Sequence, residues 1–371
     1  MSSKKSIRVL VVDDSALIRE IISDMIVAAD GLELVGTAND GLEALTHIEQ
    51  LRPDVVTLDI QMPGMGGLET LEQILKRDPI PVIMVSALAQ RAADITLQAL
   101  ERGALDYVAK PNNVNAGLED LRVELLQKIR KMAGTDVRRV LQIRKARNQR
   151  RDASRKSTRV SEEAVDHANE DFIDCCVAIG ISTGGPPALT GMFESLRPPM
   201  PPIVVVQHMP GLFTAPFAKR LNSISQLTIK EAAAGDILRP NCVFVAQGGK
   251  HLYLKRIGNL VKTQVRDAAP VSGHKPSVDV MMQCASEVFR DRCLGVIMTG
   301  MGRDGSDGCG IIKSGGGYVL GQDEDTSDVY GMNKVAFVEG HVDHQFSLDD
   351  AAMIVKRQVK RLFGKDKLVA H

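Results

Sequence analysis

Three short segments carry residues whose types and spacing suit hydrolytic chemistry. Ser182 lies in GISTGGPPAL, His208 in VVQHMP and Asp304 in MTGMGRDG. Prolines after the glycine-rich turn mark the first turn of a helix, which sets Ser182 beside backbone N–H groups able to stabilise an anion. Two chemistries fit such a turn: a cradle for phosphate, or a serine nucleophile whose oxyanion those amides hold. A dinucleotide-binding fold would carry an acid near the end of its second strand. Here the apolar run 203–206 ends in Gln207-His208 instead. A histidine at that strand end would be a general base next to a nucleophile; the plainer readings are a structural histidine and, for Ser182, a helix cap. Asp304 follows the apolar run 294–298 on a tight loop and would orient that histidine; its plainer reading is a cap for a helix over 307–314. The chain order Ser, His, Asp matches none of the chymotrypsin, subtilisin or α/β-hydrolase orders. A separate solution to the same chemistry is expected.

A second group is acidic. Asp13 and Asp14 follow the apolar run 7–12, Asp59 follows 55–58, Ser86 follows 82–85, and Lys110 with Pro111 follows 107–109. Three carboxylates converging at one sheet edge repel one another, and a hard divalent cation such as Mg²⁺ relieves that. Lys110 and Ser86 would then hold the oxygens of a phosphoryl group on one carboxylate. Taken singly, each acid could be only a solvated loop residue, and Asp14 only a helix cap.

The elements that must position these residues are strands alternating with helices. Apolar runs at 7–12, 32–37, 55–58, 82–85 and 107–109 are each followed by a helical pattern, such as Leu17, Ile18, Ile21, Ile22, Met25 and Ile26. That rhythm predicts an α/β fold: a doubly wound, five-stranded parallel sheet with ligands at the carboxyl ends of its strands. In the second half, 175–179, 203–206 and 294–298 predict a mainly parallel sheet. Runs at 242–246, 252–255 and 261–265, separated by QGGK and IGN turns, predict an antiparallel meander beside it. Gly248-Gly249 reads as a hairpin turn, since no helical pattern follows.

The first segments resemble a response-regulator receiver domain, of the flavodoxin-like fold, on Asp13, Asp14, the LDIQMPGMGG segment, Ser86 and Lys110-Pro111. The resemblance implies that Asp59 accepts a phosphoryl group, that Asp13, Asp14 and Asp59 hold Mg²⁺, and that Ser86 and Lys110 contact the phosphoryl group. Tyr107 matches the aromatic that such domains reorient on activation; otherwise it is a half-buried strand residue. GISTGGPPAL, VVQHMP, HKPSVDVM and MTGMGRDG together resemble the catalytic domain of the chemotaxis protein-glutamate methylesterase family. That implies Ser182 as nucleophile, His208 as general base, Asp304 as its orienting partner, and the amides near Thr183 and Met301 as oxyanion donors. No cofactor is expected in the esterase site. By the same resemblance His274, Pro276, Ser277 and Asp279 would line a substrate groove; otherwise they form a loop into a helix over 280–289. The implied substrates are methyl-accepting chemoreceptors, with deamidation of receptor glutamines as a second activity, and the implied phosphodonor is a sensor histidine kinase.

At roughly 150 residues per domain, 371 residues favour two or three domains. The expected division is a receiver over 1–125, a linker over 126–171 and a catalytic domain over 172–371. The linker carries ten Lys or Arg between Arg138 and Arg159 against the single acid Asp152, then the acidic stretch 161–171. Having few apolar residues after Ile143, it is expected to stay solvated. No aromatic residues interleave its charges, which argues against nucleic acid. A transcription regulator would place a helix-turn-helix of about 60 residues after such a linker, and a much longer chain of mixed charge follows here. A module that only sequesters receptor tails is the third reading, separable by mutating Ser182. With 44% apolar residues and a polar start lacking a secretory segment, a cytoplasmic monomer that meets membranes only through receptor arrays is expected. The six cysteines, without a CxxC pair, are expected as reduced core thiols.

Overall fold

The computed structural model describes residues 6–87, 90–110, 114–155, 172 and 174–364. Pro111 and the acidic stretch 161–171 lie outside these. The chain divides into two compact units, Met1–Arg150 and Arg151–His371.

In the first unit, β1 (Ile7–Val12), β2 (Leu32–Ala38), β3 (Val55–Asp59), β4 (Val82–Ala87) and β5 (Asp106–Lys110) alternate with α1 (Ala16–Val27), α2 (Gly41–Leu51), α3 (Gly67–Arg77), α4 (Gln90–Arg102) and α5 (Val114–Met132). The sheet order is β2-β1-β3-β4-β5, all parallel. The inner strands β3 and β4 are nearly continuous apolar runs because helices cover both faces; Val9, Leu10, Val55 and Val56 are wholly buried. The strand order reverses between β1 and β3, where such sheets bind ligands. Val12 pairs with Leu58, so the register sets Asp13 beside Asp59.

The stretch from 126 onward differs from the solvated linker expected. Leu126, Ile129 and Met132 of α5 are buried, and α6 (Val137–Arg155) follows. Val137 and Val140 are buried, Arg144 donates to the Leu100 carbonyl (2.8 Å), and Arg138 pairs with Asp78 (3.2 Å). A few apolar residues and one arginine stem suffice to dock the first turns of a helix whose remainder is highly charged.

The second unit runs through β6 (Cys176–Ile181), α7 (Gly185–Ser195), β7 (Ile203–Gln207), α8 (Gly211–Ile224), β8 (Thr228–Glu231), β9 (Cys242–Val245), β10 (His251–Ile257), β11 (Leu260–Arg266), α9 (Val278–Phe289), β12 (Cys293–Ile297), α10 (Ser306–Ser314), β13 (Tyr318–Gln322), α11 (Met332–Val338), β14 (His344–Phe346) and α12 (Ala351–Phe363). Seven strands form one parallel sheet, ordered β14-β13-β12-β6-β7-β9-β8. The expected three-stranded meander is reduced to the antiparallel pair β10–β11. Its supposed first strand, β9, lies inside the parallel sheet between β7 and β8, where Val243 and Val245 are wholly buried. β8, β13 and β14 extend the sheet beyond what the sequence reading located. The six cysteines are unbridged; Cys175, Cys176, Cys293 and Cys309 are buried, and burial pushes the Cys293 thiol up to about 12. Among the described residues no helix is long and apolar enough to cross a membrane.

Candidate active site and acidic cluster

Ser182, His208 and Asp304 follow the carboxyl ends of β6, β7 and β12, the three central strands of the large sheet. The register pairs Ile181 with Gln207 and Gly180 with Ile297, which brings the three strand ends level. They are also stitched together. Ser182 N–H donates to Thr299 O (3.0 Å), His208 N–H to Ile181 O (3.2 Å), and the buried Gln207 amide donates to Ser182 O (2.9 Å). A β-carbon on Gly300 would lie 2.8 Å from the Ser182 β-carbon, so only glycine lets the β12 loop approach the serine this closely.

His208 Nε2 lies 2.8 Å from Asp304 Oδ2, with the imidazole nearly buried and the carboxylate fully so. That bond fixes the Nε2–H tautomer and leaves Nδ1 to accept a proton. Nδ1 is buried and has no hydrogen-bond partner among the described residues. No hydrogen bond joins it to Ser182 Oγ among the described residues; such contacts often tighten only when substrate binds. Thr183 is buried, and its carbonyl lies 3.0 Å from Thr299 Oγ1. The Met301 N–H donates to no group among the described residues.

Asp304 caps a helix, but not the one expected. Oδ2 also accepts from Val278 N–H (2.7 Å), while Oδ1 accepts from Ser277 Oγ (2.7 Å) and Asp279 N–H (3.1 Å), all at the start of α9. The start of α10 is capped instead by Asp279, whose Oδ1 accepts from Gly305 N–H and Gly308 N–H, both at 2.8 Å. The two aspartates thus cap each other's helices. Burial alone would raise the Asp304 pKa, but the bonds from His208, Val278 and Ser277 outweigh it and hold the carboxyl below its ordinary range. Burial, reinforced by the Asp304 charge against the Gly308 and Gly305 amides, pushes Asp279 up to about 6.

The supporting roles of Gln207, Thr299 and Gly300 escaped the sequence reading. Only Gln207 left a trace, as a polar residue closing the apolar run 203–206. Of the expected groove residues, Ser277 and Asp279 serve these caps, and the His274 ring stacks on His208.

In the smaller sheet, ligand oxygens of Asp13, Asp14 and Asp59 lie within 4.8 Å of one another. Lys110 Nζ pairs with Asp13 Oδ2 (2.7 Å) and Asp59 Oδ1 (3.0 Å). Burial, opposed by Lys110 and assisted by Asp13, raises the Asp59 pKa. Ser86 is not brought to these carboxylates by a hydrogen bond: Thr96 Oγ1 donates to its Oγ (2.9 Å), and the Ser86 hydroxyl lies 3.3 Å from Ala87 O. Tyr107 is buried rather than half-buried, with Lys128 Nζ 5.3 Å from its ring centre.

Two family models match the chain, the response regulator receiver domain over residues 9–122 and CheB methylesterase over 177–355. A protein-glutamate methylesterase/protein-glutamine glutaminase of Pyrococcus abyssi is 40% identical over 372 residues, covering 99% of this chain and 97% of its own. One of Geobacter metallireducens is 38% identical over 363 residues, covering 98% and 96%. Among solved structures, the Thermotoga maritima CheB methylesterase catalytic domain is 37% identical, covers 50% of this chain and 98% of its own, and gives a TM-score of 0.49. The response regulator domain of Thermotoga maritima CheB is 45% identical, covering 35% and 98%, with a TM-score of 0.33. With relatives alike over nearly its whole length, and a receiver and a hydrolase model matched in succession, the chain belongs to the protein-glutamate methylesterase/protein-glutamine glutaminase family.

Proposed function

We propose that the chain is a phosphorylation-controlled carboxyl-ester hydrolase that removes methyl groups from glutamate esters of methyl-accepting chemoreceptors. Deamidation of receptor glutamines is its second activity, because an amide passes through the same tetrahedral oxyanion. The observation that carries this reading is the buried His208–Asp304 bond, one strand away from a serine on a glycine-rich turn. Ser182 Oγ attacks the ester carbonyl and gives its proton to His208 Nδ1. Asp304, at Nε2, stabilises the imidazolium without itself taking the proton. The N–H groups of Thr183 and Met301 face the oxyanion. As the intermediate collapses, the carbon–oxygen bond to methoxide breaks and His208 protonates the departing methanol. Water then gives a proton to His208 as it attacks the acyl-enzyme; as the bond to Ser182 Oγ breaks His208 returns that proton to Ser182, and the glutamic acid released loses its remaining proton to solvent.

Control belongs to the receiver. Asp59 accepts a phosphoryl group from a sensor histidine kinase, and Lys110 and Ser86 contact its oxygens, Lys110 by exchanging a carboxylate and Ser86 by turning from Thr96. The convergence of three carboxylates, one of them driven toward protonation, fits a hard divalent ion held by Asp13, Asp14 and Asp59. A Mg²⁺ ion held by these residues would supply the positive charge that phosphoryl transfer to Asp59 requires. In this reading 1–125 is the receiver, 126–171 a connection that holds the end of α5 and all of α6, and 172–371 the esterase domain. The protein works in the cytoplasm as a monomer that meets membranes only at receptor arrays. Methanol release from methylated receptor membranes tests the proposal: it should occur, and rise with a small phosphodonor and Mg²⁺. No methanol under either condition would refute it.

A further inference from the structure

His208 is held at one ring nitrogen only. Its Nε2 meets Asp304 while Nδ1 has no partner among the described residues, so the hydrogen bond alone leaves the imidazole free to tilt about that contact. A second ring removes this freedom. The His274 imidazole lies face to face with His208, with ring centres 3.8 Å apart and planes 7° from parallel.

The segment presenting His274 is itself braced. Val271 and His274 exchange backbone hydrogen bonds of 2.9 and 3.1 Å around Ser272 and Gly273, whose φ angles of +54° and +78° make the tight turn. Gly249 N–H donates to Lys275 O (3.0 Å), and Ser277 N–H donates to Nδ1 of the buried His251 (3.2 Å). The His251 ring is anchored in turn through Nε2 at Ala269 O (2.9 Å). Ser272 Oγ reaches Asp279 Oδ2 (3.2 Å). The ring is thereby tied to the same α9 start that holds Asp304, and the two contacts on His208 share one foundation.

We infer that His274 is a positioning residue for the hydrolytic reaction: its flat ring fixes the plane of His208 so that Nδ1 points along the line on which the Ser182 proton is taken. The inference rests on the proposed roles of Ser182 and His208. It separates His274 from a groove residue that merely touches substrate, because a plane-setting ring acts on turnover and not on substrate binding.

The test uses the full-length protein with phosphodonor and Mg²⁺, reading methanol release from methylated receptor membranes. His274→Ala and His274→Leu should lower kcat by roughly tenfold to a hundredfold, the scale of a misplaced reacting group, with KM changed less than about twofold on the same scale. His274→Leu fills the space without a flat face, so its loss is read in a packed protein. His274→Phe, flat but without ring nitrogens, should restore most of kcat. An undiminished kcat in His274→Leu would overturn the inference, as would a loss confined to KM, or a Phe variant as slow as the Leu variant. Ser182→Ala run in parallel keeps the two readings apart: methanol release persisting there refutes the proposed function itself, whereas a dead Ser182→Ala beside a normal His274→Leu refutes only the stack.

Discussion

The acidic cluster of the smaller sheet and the Ser182–His208–Asp304 site of the larger one both sit where strand order reverses, and both centre on buried aspartates, yet their electrostatics are opposite. Asp304 is saturated: a histidine, a hydroxyl and two backbone amides satisfy its oxygens, and its charge is fixed before any substrate arrives. Of the three carboxylates only Asp13 and Asp59 pair with Lys110, and burial opposes the charge on Asp59. The first site is preorganised for a transition state that forms within it. The second has unspent attraction for positive charge from outside. The contrast is that between a part that performs chemistry and a part that receives a signal.

The sharpest way to break this comparison is to silence each site separately. Ser182→Ala should lower methanol release by roughly 10⁴-fold or more while leaving acetyl phosphate labelling of the receiver intact. Asp59→Asn should abolish that labelling and retain the unstimulated esterase rate. If either substitution removed both readouts, the sites would not be separable. Asp304→Asn comes next, expected to cost about 10³–10⁴-fold in kcat by permitting the wrong imidazole tautomer, with labelling again unchanged. A smaller effect is expected at Gly300, where the β-carbon of Gly300→Ala would press on Ser182; a fall of roughly tenfold to a hundredfold in kcat would match a displacement of the nucleophile by a fraction of an ångström.

The smallest effect concerns stability. Burial pushes the Asp279 carboxyl up to about 6, above the ordinary carboxylate range, so the folded state binds this proton more tightly than the unfolded chain does. Its contribution therefore declines as pH rises from about 4 through 6, the reverse of a carboxyl held low such as Asp304. Asp279→Asn removes that titration. Urea unfolding at a series of pH values should show the variant gaining on the natural protein across this window by on the order of 1–3 kcal/mol, and parallel pH profiles would contradict the assignment.

Much of the site could be read from the sequence because its chemistry forces residue types into short segments: a serine inside glycines, a histidine ending an apolar run, acids ending others. The supports were harder to see. Asp304 is near α10 in the chain and therefore reads as its cap, whereas its hydroxyl and amide partners stand at the start of α9, 25 to 27 residues earlier. β9 has the same four-residue apolar signature in a parallel or an antiparallel sheet, and the choice depends on which connection crosses which face. β14 has three residues and β8 four, too few to show a period. The docking of α6 rests on Val137, Val140 and the stem of Arg144, a signal submerged in a stretch dominated by charge.

The exchange of caps between α9 and α10 couples two helix starts that are far apart in sequence. Opening either end strips an acceptor from the other, so the amides of Val278, Asp279, Gly305 and Gly308 should lose hydrogen-exchange protection together, as one local unfolding unit. Because His208 leans on the same carboxylate, each such opening event also frees its imidazole, and the frequency of that event sets how long the site stays assembled.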